Sequence, residues 1–185
     1  MIQPGNLRAV DELVIKGMVT LPGAVMIEVS FYHLSERKVE SALQLLLERA
    51  RGRGWRAVVQ AASAARLKKI DAFLWSYSRD SFLPHGGAAD PDPKSQPIYL
   101  TCDDNDNPNN AEIRFFIESV AIAPVLDGVS APSIRAALLF DGADAAELED
   151  ARAQWRELRD AGYPLVYYQQ TDDGKWIEKA REPKS

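Results

Sequence analysis

Arg152, Arg156 and Arg159 stand at i, i+4 and i+7, a spacing that puts three guanidiniums on one face of an α-helix. Leu148, Ala151, Trp155 and Leu158 form the adjoining apolar face, and Tyr163 and Leu165 follow the helix end. A planar guanidinium grips a carboxylate through two parallel N–H donors. Such forks beside an apolar wall suit a peptide that offers both a carboxylate and an apolar side chain. The competing reading is a solvated face neutralised by neighbours such as Glu149 and Asp160. The first half of the same helix is acidic (Asp144, Glu147, Glu149, Asp150), which complements the positive end of the helix dipole.

A second constellation is Trp75, Tyr77 and the segment DSFLPHG at 80–86, which holds Phe82, Leu83, Pro84 and His85. Large apolar residues in a loop are either tucked under the sheet or wait for a partner. Taken alone, core packing is the favoured fate here.

Catalytic chemistry finds less support. The chain has two histidines, His33 and His85, and one cysteine, Cys102. Cys102 falls in or just past an expected buried strand, where an inert core thiol is the usual case. A Ser–His–Asp triad would lack its nucleophile elbow. Asp103, Asn105 and Asn107 imitate the first ligands of a calcium loop, but Pro108 replaces the required glycine and Arg114 the bidentate glutamate. After the first strand the sequence reads HLSERK, without the glycines that let backbone N–H groups approach phosphate. Neither a cofactor nor a metal is expected.

These groups must be positioned by an alternation of strands and helices. Val25–Tyr32 reads as a strand. The following helix buries Val39, Ala42, Leu43, Leu46, Leu47 and Ala50 at helical spacing and stops at Gly52 and Gly54. Arg56–Ala61 is a second strand, and Ser63 caps a helix that buries Leu67, Ile70 and Leu74. Residues 76–97, with four prolines and Gly86-Gly87, read as a long loop. Ile98–Thr101 is a strand, Asp103–Asn110 a polar turn, and Glu112–Ser119 a strand or a short helix. Residues 120–132 read as an inserted loop and Arg135–Phe140 as a strand. The arginine helix spans Ala143–Ala161. Tyr163–Gln169 and Lys175–Ile177 flank Asp173-Gly174, a hairpin signal. Short apolar strands separated by helices imply one α/β domain with a mainly parallel sheet flanked by helices and a C-terminal hairpin.

The chain's 185 residues suffice for one core without staples. One cysteine makes no internal disulfide, which favours a reducing, cytoplasmic compartment. No apolar run approaches the ~20 residues that span a bilayer. The net charge of −5 counts against a whole-surface grip on nucleic acid. It is unevenly spread: residues 1–150 carry 15 basic and 21 acidic side chains, residues 151–185 carry 7 and 6. Pro4, Gly5, Gly17, Pro22 and Gly23 break up residues 1–25, so these read as an extension, with the native start expected at Met26 and the α/β domain over 26–185.

In this order, Phe31-Tyr32, AFLW (Ala72–Trp75), DSFLPHG, LLFDG (Leu138–Gly142), ARAQWRELRDAGY (Ala151–Tyr163) and YYQQTDDGKWIEKA resemble the chi subunit family of bacterial DNA polymerase III holoenzyme, an accessory of the clamp loader. The resemblance runs from about Met26 to Ala180. It implies a noncatalytic, Rossmann-like protein without a nucleotide site, which links the clamp loader to single-stranded DNA-binding protein. The family grips that protein's acidic C-terminal tail, which ends in Phe with a free carboxylate. Carried over, Arg152 and Arg156 meet tail carboxylates, Trp155 stands at an aromatic position, Leu165 helps form the pocket for the terminal Phe, and Arg159 and Tyr163 support them. The stretch holding Trp75, Phe82, Leu83, Pro84 and His85 corresponds to the surface for a second partner, the psi subunit or another clamp-loader subunit. Residues 120–132 and the DDGKW hairpin depart from shorter members and could cover or extend the tail pocket.

Two rivals stand beside this reading. One is direct binding of single-stranded nucleic acid by arginines with stacked Trp155, Tyr167, Tyr168 and Trp176. The other is an α/β enzyme using His85 or Cys102.

Overall fold

The computed structural model describes residues 26–35, 38–78, 82–171 and 173–183. The expectations for residues 1–25 lie outside this range. Eight strands form one sheet among the described residues: β1 (Glu28–Leu34), β2 (Ala57–Gln60), β3 (Gly86–Gly87), β4 (Ile98–Thr101), β5 (Ile113–Ile117), β6 (Arg135–Asp141), β7 (Leu165–Gln170) and β8 (Trp176–Glu182). Their order is β3-β4-β2-β5-β6-β1-β7-β8, parallel except for the final β7–β8 pair. The expected α/β class, parallel sheet and terminal hairpin are all present.

Helices cover both faces. On one side lie α1 (Val39–Gly52) and α2 (Ala64–Ser76), over Tyr32, Leu34, Val59, Phe115 and Leu139. On the other lie the short α3 (Ala123–Leu126) and α4 (Ala145–Asp160), over Val29, Phe31, Phe116, Leu138 and Phe140. Alternate residues of β1 thus feed two cores, which is why VSFYHL is apolar almost throughout. The helix α1 buries Ala42, Leu43, Leu46, Leu47 and Ala50, as its periodicity predicts. Ser63 caps α2 by accepting a hydrogen bond from the Arg66 N–H at 3.2 Å.

Four expectations change. The first strand sits later than Val25–Tyr32, because His33 and Leu34 continue the ladder with β6. Glu112–Ser119, left between strand and helix, is the central parallel strand β5. Within 76–97 the glycine pair forms a short edge strand beside β4. Residues 120–132 are no inserted loop: Ile122, Val125 and Leu126 are buried in the α4-side core, and the Gln154 side chain accepts from the Ile122 N–H at 3.0 Å. Gln154 faces inward to make that bond, a buried polar residue justified by its partner.

The calcium-like turn after β4 serves Arg114. This fully buried guanidinium donates to the carbonyls of Asp103 and Asp106 and to the Gln60 side chain. Desolvation lowers its pKa to about 10, opposed by Asp104, Asp106 and Asp103. The acidic turn is the counter-charge of a core arginine.

Candidate functional site

Helix α4 starts at Asp144, whose carboxylate accepts from the N–H groups of Ala146 and Glu147 at 2.8 and 3.2 Å. Ala151 and Leu158 anchor it in the core. Trp155, only half-buried, meets Phe31 edge-on at 5.2 Å and Tyr167 at 5.9 Å. Strand β8 then pairs with β7 and completes a trough of about 480 Å³ lined by Arg152, Trp155, Arg156, Tyr167, Lys179 and Glu182, with small Ala151 and Ala180. Its base is aromatic and its rims carry three cations and one anion.

The arginine side chains are accessible: Arg152 is 60% and Arg156 56% exposed. Both lie near one carboxylate, Glu149, at 3.8 and 3.3 Å. Exposed pairs of this kind are worth little, so an incoming carboxylate displaces Glu149 at small cost. Arg159 turns to Asp160 at 2.8 Å, and the Tyr163 hydroxyl lies 3.4 Å from Asp127. Neither lines the trough. Leu165 is fully buried beneath it, in the core with Phe31 and Trp155. Of the six expected tail-site residues, Arg152, Trp155 and Arg156 converge; the other three lie outside the trough.

Sequence reasoning missed Lys179 in this role. The pairing shifts between Tyr167 and Tyr168: Tyr167 faces Ala180, while Tyr168 faces Glu178. Lys179 is the extra residue of a β-bulge, which aims it and Ala180 at one trough. His33 lies behind the trough. Its Nδ1 shares a 2.8 Å hydrogen bond with the Tyr167 hydroxyl and so fixes the trough wall. Burial lowers the pKa of His33, Asp141 opposes this, and Arg152 adds to it. The imidazole packs against Gly142, where an added Cβ would sit 1.7 Å from Nε2. Only glycine admits that approach at the end of β6.

The second constellation lies elsewhere, on α2 and the chain after it. Trp75 is 60% and Phe82 54% exposed, so the expectation that they pack in the core is overturned. Leu83 and His85 are buried beneath them, and Pro84 is exposed. The rings of Trp75, Phe82 and His85 cluster with centroids 5.1–6.4 Å apart. His85 Nδ1 lies 2.6 Å from the Leu83 carbonyl, and Nε2 lies 3.2 Å from Asp71. The loop cannot fold its aromatics inward because β4 and α2 already fill the sheet face with Ile98, Leu100, Ile70 and Leu74.

Cys102 is exposed, contrary to expectation, in a groove that also holds His85. Partial desolvation of the sulfur and the nearby Glu118 carboxylate raise its pKa. That direction disfavours the thiolate a nucleophile needs. Among the described residues no cluster of His, Cys, Asp or Glu could hold a metal ion, and no helix is long and apolar enough to cross a membrane.

Fold and trough together define a doubly wound α/β protein whose accessible groups are arginines and aromatic rings. Residues 26–166 match the family described as DNA polymerase III chi subunit, HolC, and the chain belongs to that family. It is 36% identical over 101 residues to a probable DNA polymerase III subunit chi from Rickettsia prowazekii (strain Madrid E), a stretch covering 55% of this chain and 61% of the relative. The family match ends at Val166, so Tyr167, Lys179, Ala180 and Glu182 of the trough lie beyond it.

Proposed function

We propose that this replication subunit is a noncatalytic adaptor that binds the acidic C-terminal tail of single-stranded DNA-binding protein and links it to the clamp loader. One observation carries the reading: accessible Arg152 and Arg156 flank a trough whose base is Trp155 and Tyr167. A terminal Phe fits against the rings, and its α-carboxylate reaches the guanidiniums. Further acidic residues of the tail are drawn by Lys179. Attraction between exposed charges is screened over ~8–10 Å at physiological salt, so affinity falls as salt rises.

Titration of a labelled tail peptide tests this. The intact peptide binds, the peptide lacking its terminal Phe binds far more weakly, and added salt weakens both. Equal affinity with and without the Phe would sink the pocket assignment.

The Trp75–Phe82 ridge is proposed as the face for a second replication subunit, psi or another part of the clamp loader. Two adjacent large rings left more than half exposed support this.

A further inference from the structure

The α1 side of the sheet carries a cavity of about 280 Å³ that none of the roles above uses. Arg49 from the last turn of α1, Arg53 just past its end, Arg135 from β6, and the rings of Trp55, Tyr32 and Trp176 line it. No carboxylate lines it. Among the described residues Arg49 and Arg53 form no ion pair, and the Arg53 guanidinium lies over the Trp55 ring at 5.2 Å. Arg135 spends one terminal nitrogen on Glu28 at 2.6 Å, while its Nε is buried without a hydrogen-bond partner.

Tyr32 adds an independent observation. The residue is only 9% exposed, and its hydroxyl, which makes no hydrogen bond among the described residues, is not one of the fully buried polar atoms, so it stays open to a ligand in the cavity. The ring is held rigidly, stacked on Tyr168 at 5.1 Å and met edge-on by Trp176 at 5.0 Å. Burial raises the pKa of this phenol, so it remains a hydrogen-bond donor.

A ligand that satisfies these groups has a flat π-system for the rings, an anion for the guanidiniums and an acceptor for the phenol. We infer that the cavity binds a nucleotide unit, with its base among Trp55, Tyr32 and Trp176 and its phosphate on Arg49 and Arg53. Bases stack on aromatic side chains whatever their identity, and guanidinium forks match phosphate oxygens. The volume lies at the small end of ligand sites, enough for one nucleotide and too small for a folded partner. A neighbouring hollow that shares Arg49 and Trp176 with the cavity is lined also by Lys175 and Asp173, which pair with each other at 2.6 Å. The ligand is either a free nucleotide or one residue of a single strand. The chain's net acidity does not oppose a site this local.

The inference is independent of the tail reading and is tested on the full chain. Labelled oligothymidylate and adenosine monophosphate are titrated separately, with NMR detection of the four tryptophan indole N–H signals. Movement of the Trp55 and Trp176 signals is expected, together with binding about tenfold weaker in Arg49→Ala/Arg53→Ala. Both arginines are surface residues, so the variant folds. Binding of the mononucleotide identifies a free nucleotide as sufficient; binding of the oligonucleotide alone identifies a strand. Neither ligand moving those two indoles overturns the inference. So does unchanged affinity in the double variant, or displacement of the oligonucleotide by the acidic tail peptide, which would put it in the trough.

Discussion

The trough along α4 and the ridge on α2 are both built around a tryptophan, and the two side chains live under opposite conditions. Trp155 lies half-buried between Phe31 and Tyr167, with arginines around it. Trp75 stands 60% exposed and leans on Phe82 and His85, with no arginine lining its groove. The first is a wall of the protein that also presents a surface; the second is surface alone. On the proposed reading, the recess with cations takes a charged chain end, because its exposed ion pairs are cheaply displaced. On the same reading, the aromatic ridge takes a second subunit that covers it.

Stability separates them most sharply. Trp155→Ala removes ring contacts inside the α4-side core and costs about 2–3 kcal/mol, whereas Trp75→Ala stays within about 0.5 kcal/mol. Urea unfolding of the two variants measures this, and equal losses would break the contrast. Binding follows. Arg152→Ala weakens the tail peptide by about 1–2 kcal/mol, a charged hydrogen bond moderated by exposure, as read by fluorescence anisotropy. An unchanged affinity would remove the arginines from the site.

A smaller effect has the opposite sign. Glu149 competes for Arg152 and Arg156, so Glu149→Gln tightens tail binding by about 0.5 kcal/mol. Calorimetry would show it, and a weaker complex would mean that Glu149 orients the arginines instead.

The smallest concerns pH. His33 titrates below its ordinary value in the folded chain because it is buried, so the unfolded state binds its proton first as pH falls. The stability associated with neutral His33 is complete above about 6.5 and declines as pH drops from there through the lower folded value. Wild type therefore loses more melting temperature between pH 7 and 5 than His33→Gln, which cannot titrate. Parallel curves would show that Asp141 cancels the effect of burial.

Much of this was legible before any coordinates. The α1 face, the Ser63 cap, the Asp173-Gly174 hairpin and the arginine row each rest on a local rule of period, cap or turn, and local rules survive folding. Three readings failed where the outcome depended on neighbours distant in sequence. Trp75 and Phe82 were read inward, but Ile98, Leu100 and Leu74 had already filled the sheet face. Residues 120–132 looked like surface until Gln154, some thirty positions on, pinned Ile122. Cys102 lies just past the fully buried strand β4, where neither covering layer reaches it, and is exposed in the groove beside His85.

By itself the sequence determined the α/β alternation, the hairpin, and an arginine row beside Trp155 on one helix, because periodicity and turn chemistry are properties of neighbouring residues. Only the tertiary structure decided which of six candidates share a trough. It buried Leu165, turned Arg159 and Tyr163 to acidic neighbours, and delivered Lys179 through a one-residue bulge. A bulge leaves no period in the sequence, and the pairing of β7 with β8 fixes where it falls.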